Sequence, residues 1–135
     1  MRNIGNLGVV FVDDDFLVLD AIKREFRKIN PNWSLFFASS AMSAIDLIND
    51  KIKELDVLVC DMKMPILSGV DVLRITRKVY PQILRVTLSG QLDVTTLLGS
   101  DKFSDMHICK PITSERLSQK IVEAYGARWP NRKAT

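Results

Sequence analysis

A chain of 135 residues, 47% hydrophobic and 26% charged, has enough apolar matter for one domain with a single core, and six glycines and five prolines exclude a collagen-like or low-complexity chain. No apolar run approaches the roughly 20 residues that cross a bilayer, and Met1 to Asn6 lacks the apolar stretch and cleavage site of a secretory signal, so a cytoplasmic protein without membrane contact is expected. The net charge of +3 belongs to the tail: Arg128, Arg132 and Lys133 follow Tyr125 without an acid, leaving residues 1–125 balanced at 16 acids and 16 bases.

Five short apolar runs bounded by turn residues alternate with segments of helical period, the mark of strand–helix units and a parallel sheet. The first strand is Leu7 to Val12. A helix follows from Asp15 to Ile29, with Leu19, Ile22, Phe26 and Ile29 recurring at spacings of three and four, and Asn30-Pro31 ends it. Ser34 to Ala38 is the second strand. Ser39 or Ser40 caps the second helix, whose apolar stripe is Ala41, Ala44, Ile45, Ile48 and Ile52.

The third strand, Val57 to Cys60, is wholly apolar and suits a central position buried on both faces. A third helix follows Gly69 and stops at Tyr80-Pro81. Ile83 to Leu88 forms the fourth strand. The fourth helix, Val94 to Leu98, is short and rich in weak helix formers, with Gly99 truncating it. Met106 to Cys109 is the fifth strand, and the last helix runs from Ser114 to Tyr125, with Glu115 in its first turn and Gly126 as the residue that ends it. Residues 1–6 read as an N-terminal extension, 7–125 as the domain and 126–135 as a basic tail or linker.

The basic groups Lys23, Arg24, Arg27 and Lys28, and Arg74, Arg77 and Lys78, read as solvated helix faces. With no basic stripe interleaved with aromatics, direct nucleic-acid binding is not expected. Cys60 and Cys109 sit in apolar runs and are expected as buried free thiols. One histidine and no CxxC spacing leave no zinc site.

Open parallel sheets bind ligands at the carboxyl ends of their strands. Strand one ends here in Asp13-Asp14-Asp15, strand three in Asp61, strand four in Ser89-Gly90 and strand five in Lys110-Pro111. Carboxylates converging at one edge repel unless a cation offsets them, and Mg²⁺ prefers such oxygen ligands. One carboxylate can then act as a nucleophile on phosphorus, while a lysine and a hydroxyl bind the phosphoryl oxygens. Lys110 and Ser89 have those chemistries.

The ordered set Val9 to Asp15, Cys60-Asp61-Met62-Lys63-Met64-Pro65 with Gly69, Leu88-Ser89-Gly90 and Lys110-Pro111 resembles the receiver domain of two-component response regulators over residues 7–125. Asp14 to Asp61 spans 47 positions and Asp61 to Lys110 spans 49, as in receivers. The resemblance implies a flavodoxin-like, doubly wound (βα)5 sandwich, α/β in class, with a five-stranded parallel sheet in the order 2-1-3-4-5. It implies Asp61 as phosphate acceptor, Asp13, Asp14, Asp61 and the backbone carbonyl of Lys63 as ligands of Mg²⁺ or Mn²⁺, and a cis peptide between Lys110 and Pro111. Ser89 and Lys110 match the phosphoryl-binding pair. His107 stands where receivers carry the switch Tyr or Phe. The implied partners are a sensor histidine kinase or phosphotransfer protein, an output domain or partner protein, and a second copy through the fourth and fifth helices; the implied chemistry is limited to the domain's own phosphorylation and dephosphorylation.

Plainer readings stand beside these. Asp15 suits a helix N-cap, Ser89 a local hydrogen bond at a strand end, and His107 a partly buried strand residue. Two other functions fit the same motifs: a phosphorylation-independent interaction domain, and a small Mg²⁺-dependent phosphatase built on Asp13-x-Asp15.

Overall fold

The computed structural model describes residues 3–62, 69–90 and 104–128. The elements are β1 (Gly8–Val12), α1 (Phe16–Ile29), β2 (Ser34–Ala38), α2 (Ala41–Lys51), β3 (Val57–Asp61), α3 (Gly69–Val79), β4 (Leu84–Ser89), β5 (Met106–Cys109) and a C-terminal helix, α4 (Ser114–Arg128). All strand pairs are parallel, and the sheet order is β2-β1-β3-β4-β5, as expected from the sequence.

Side chains of a strand alternate between faces, and that alternation divides the core. Val9 and Phe11 of β1, Val57 and Val59 of β3, and Val86 and Leu88 of β4 enter the layer closed by α1 and α4. Val10, Val12, Leu58 and Cys60 enter the layer closed by α2 and α3. β1, β3 and β4 are buried throughout, whereas the edge strand β2 is half-exposed. Phe11 anchors the first layer, with ring centroids 5.0 Å from Phe26 and 5.6 Å from Phe37. Burying a side chain such as Phe26 contributes about 1.5–3 kcal/mol.

Local chemistry sets the element ends. Asp15 caps α1, its carboxylate accepting from Leu17 N at 3.0 Å. Of the two candidate serines it is Ser40 that caps α2: its hydroxyl accepts from Ser43 N, and Ser43 Oγ accepts from Ser40 N. At Gly8 a Cβ would fall 1.7 Å from the Glu54 carbonyl oxygen, so a residue without a side chain is required for β1 to pass this loop.

Three expectations need correction. The last helix does not stop at Tyr125; it continues through Gly126 to Arg128. The cost of a helical glycine, about 1 kcal/mol relative to Ala, is offset because Arg128 reaches back to the sheet. Its guanidinium donates to the carbonyls of Pro81 and Ile83 and meets Asp105 at 2.9 Å. Cys109 is exposed rather than buried, because β5 is an edge strand and only Ile108 of it is buried. β3 runs one residue further than its apolar run, through Asp61, and β4 is shifted by one residue, spanning Leu84–Ser89 instead of Ile83 to Leu88. The expected helix over Val94 to Leu98 lies outside the described residues, as does Lys63.

Candidate functional site

Because β1 and β3 are neighbours, their carboxyl ends open side by side and bring Asp13 and Asp61 together. Asp13 is fixed just past β1: its N–H donates to the Ala38 carbonyl at 3.2 Å, and its Oδ1 accepts from Asp15 N at 2.9 Å. Asp61 is the last residue of β3. Both are nearly buried, at 4% and 6% exposure, while Asp14 projects into solvent. One carboxylate oxygen from each of the three lies within 4.8 Å of the others. Asp15 is turned to its capping role, so Asp13 and Asp14, rather than Asp13 and Asp15, share the cluster.

Lys110 enters from the opposite side. Its backbone N–H donates to the Ser89 carbonyl at 2.8 Å, extending the β4–β5 ladder by one step, and the following peptide bond to Pro111 is cis. The ammonium lies 3.3 Å from Asp61 Oδ1 and 3.6 Å from Asp13 Oδ2. Partial burial alone would lower its pKa, but Asp61 and then Asp13 outweigh that and hold it above the ordinary lysine value. It is therefore a permanent cation at neutral pH. Three carboxylates against one ammonium leave uncompensated negative charge, and oxygen donors at this spacing suit a hard divalent cation.

Cys60, one residue before Asp61, takes no part. Burial pushes its thiol far above the usual range, and Asp61 and Asp13 push it further, so it stays protonated and donates to the Asp61 carbonyl at 3.4 Å.

Ser89 ends β4 at 2% exposure, and its hydroxyl lies 2.9 Å from His107 Nε2. His107 is partly buried on β5, and its Nδ1 lies 2.6 Å from Thr87 Oγ1. Thr87 was not picked out from the sequence. The available signal was the alternation Arg85, Thr87, Ser89 in an otherwise apolar strand, which places three polar groups on one face.

Beside the acidic cluster, α1 and α4 bound a cleft of about 330 Å³ lined by Asp13, Ile22, Leu88, Lys110, Pro111 and Leu117 among others. At the start of α1, Phe16 and Leu17 are 74% and 78% exposed. No described helix is long and apolar enough to cross a membrane.

Residues 9–122 match the family model of the response regulator receiver domain. A receiver domain from Clostridium thermocellum superposes with a TM-score of 0.80 at 28% identity, covering 92% of this chain and 98% of that one. The receiver domain of Francisella response regulator 1452 gives 0.77 at 27% identity, covering 91% and 99%. In sequence, the chain is 28% identical to the hydrogenase transcriptional regulatory protein HoxA of Cupriavidus necator over 122 residues, 89% of this chain but 24% of that protein, so it spans about a quarter of this relative's length.

Proposed function

The chain belongs to the response regulator receiver domain family, and from that premise we propose that Asp61 accepts a phosphoryl group from a sensor histidine kinase, a phosphotransfer protein or a small acyl phosphate. The family is generally not one of catalytic enzymes; the chemistry here is confined to the domain's own carboxylate.

The observation that carries this reading is the position of Asp61, a nearly buried carboxylate with Lys110 at 3.3 Å and two further carboxylates in oxygen-to-oxygen reach. An Asp61 oxygen attacks phosphorus, the bond from phosphorus to the donor's imidazole nitrogen or acyl oxygen breaks, and the donor leaves with that electron pair. Asp13, Asp14 and Asp61, with the Lys63 carbonyl as a further ligand, would hold Mg²⁺ or Mn²⁺, which neutralises phosphoryl oxygens when bound. On this reading Lys110 exchanges its contact with Asp61 for a phosphoryl oxygen, and Ser89 supplies a hydroxyl. The added charge then favours the conformation in which both engage the phosphoryl group, altering affinity for an output domain or partner.

Phe16 and Leu17 support a protein donor. They offer exposed apolar surface at the head of α1, directly after the Asp13–Asp15 run, that a docking partner would cover.

Incubation with acetyl phosphate and Mg²⁺ tests the reading. A hydroxylamine-labile phosphoryl adduct that disappears in Asp61→Ala is expected; an adduct of equal yield in Asp61→Ala overturns the assignment.

A further inference from the structure

Along β4, Leu84, Val86 and Leu88 enter the layer under α1 and α4, and Arg85, Thr87 and Ser89 place buried polar side chains on the other face. Thr87 is fully enclosed, with Cys60 on β3 and His107 on β5 as its register partners. A buried hydroxyl needs hydrogen-bond partners. Thr87 Oγ1 has three neighbours: His107 Nδ1 at 2.6 Å, Ser104 Oγ at 3.2 Å and the Met106 carbonyl oxygen at 3.3 Å. Ser104 Oγ donates to that same carbonyl at 2.8 Å.

Counting protons over the contacts of the described residues selects the imidazole tautomer. Ser104 Oγ has one proton for the Met106 carbonyl at 2.8 Å, Thr87 Oγ1 at 3.2 Å or the Arg85 carbonyl at 3.5 Å. If His107 carried its N–H at Nε2, Thr87 would give its one proton to Nδ1, its contact with Met106 would hold none, and the Ser89 proton would lie outside this set of contacts. With the N–H at Nδ1, the ring donates to Thr87 Oγ1 and Thr87 passes its own proton to Met106 or Ser104, so one more contact becomes a hydrogen bond. Nε2 is then a bare acceptor. The proton in the 2.9 Å contact between Nε2 and Ser89 Oγ is the serine's own.

We propose that Thr87 and His107 are positioning residues for Ser89: Thr87 fixes His107 as the Nδ1–H tautomer, and Nε2 holds the Ser89 hydroxyl proton. A phosphoryl oxygen on Asp61 must then take that proton from the imidazole before it can engage Ser89. The inference rests on Asp61 as the acceptor. Its content is that His107 acts here by hydrogen-bond exchange, opposing phosphoryl recognition by Ser89, and that Thr87 sets the state from which the exchange starts.

The chain's one histidine makes the test direct, because nitrogen NMR of the imidazole reports this side chain alone. In the unliganded protein, a protonated Nδ1 and an unprotonated Nε2 are expected; an N–H at Nε2 overturns the inference. Beryllofluoride with Mg²⁺, as phosphoryl mimic, is then expected to shift the Nε2 signal as its hydrogen bond is lost. His107→Phe and Thr87→Val should each bind the mimic roughly fivefold more tightly, the net effect of one hydrogen bond, and His107→Phe should give no such gain in a Ser89→Ala background. Equal or weaker binding by His107→Phe overturns the inference. Failure of the wild-type protein to bind the mimic would instead count against Asp61, and the unliganded tautomer distinguishes the two failures.

Discussion

Lys110 Nζ sits 3.3 Å from Asp61 Oδ1, joining the end of β5 to the end of β3 past the intervening β4. The pair is the positive and negative half of one pocket, and its charge state has a pH signature. The folded-state pKa of Lys110 is raised, by Asp61 and Asp13 against the opposing effect of burial. A raised pKa contributes stability that is fully present below the ordinary lysine value of 10.5 and is lost as pH rises through the folded value. Thermal unfolding followed from pH 8 into the alkaline range should therefore show the wild type losing stability above about pH 10.5, with a smaller loss in Lys110→Met.

Divalent-ion binding follows from the same charge imbalance. On the proposed reading Mg²⁺ binds the folded cluster and has no such site in the unfolded chain, so it should raise the melting temperature. At ten times its dissociation constant the gain is about 1.4 kcal/mol. Asp14→Ala, an exposed position outside the core, should leave the metal-free melting temperature within about 0.5 kcal/mol of wild type and remove most of the Mg²⁺ response. Calorimetry with and without Mg²⁺ checks both.

Apolar exposure at the head of α1 separates protein donors from small ones. Phe16→Ala and Leu17→Ala should slow transfer from a phosphohistidine protein by about tenfold, the loss of roughly 1.4 kcal/mol of interface contact. Because neither side chain belongs to the acidic cluster, labelling by acetyl phosphate should be unchanged in rate. Stopped-time phosphotransfer assays with the two donors make the comparison.

At the opposite end of the sheet, Asp105 joins two guanidinium groups. It lies 3.4 Å from Arg85 Nη2 and 2.9 Å from Arg128 Nη1, and also accepts from Arg85 N at 2.8 Å. Arg85 is nearly buried, and that burial lowers its pKa with Asp105 opposing. Asp105→Ala removes the carboxylate from a buried charge and should cost about 3 kcal/mol. Arg85→Met, which removes the buried charge and keeps similar volume, should cost less. Urea denaturation of the two variants tests the order, and a larger loss in Arg85→Met would contradict this account.

Much of this architecture was legible in the residues because local and global signals agree. The runs Val9 to Val12 and Val57 to Cys60 are apolar on both faces, as central parallel strands must be, and the acids directly after them fall at the sheet's ligand-binding edge. What was not legible depended on distant contacts. Gly126 carries a helix-stop signal, but Arg128 finds the Pro81 and Ile83 carbonyls and Asp105, more than 20 positions away in sequence. Cys109 shares its apolar run with Ile108, and only the place of β5 at the sheet edge exposes it. Thr87 resembles any β-branched strand residue until the register sets it between Cys60 and His107. The choice between Ser39 and Ser40 likewise waited on the reciprocal bonds with Ser43.

The central claim is that one carboxylate, that of Asp61, receives the phosphoryl group. An aspartyl phosphate is an acyl phosphate and is reduced by borohydride to the corresponding alcohol, so the acceptor is marked permanently as homoserine. After treatment with acetyl phosphate and Mg²⁺, reduction and peptide mass spectrometry should place homoserine at position 61. The mark should be absent at positions 13 and 14 and reduced in Lys110→Ala. Homoserine at Asp13 or Asp14, or a full yield of protein adduct with Asp61 unmodified, would contradict the account.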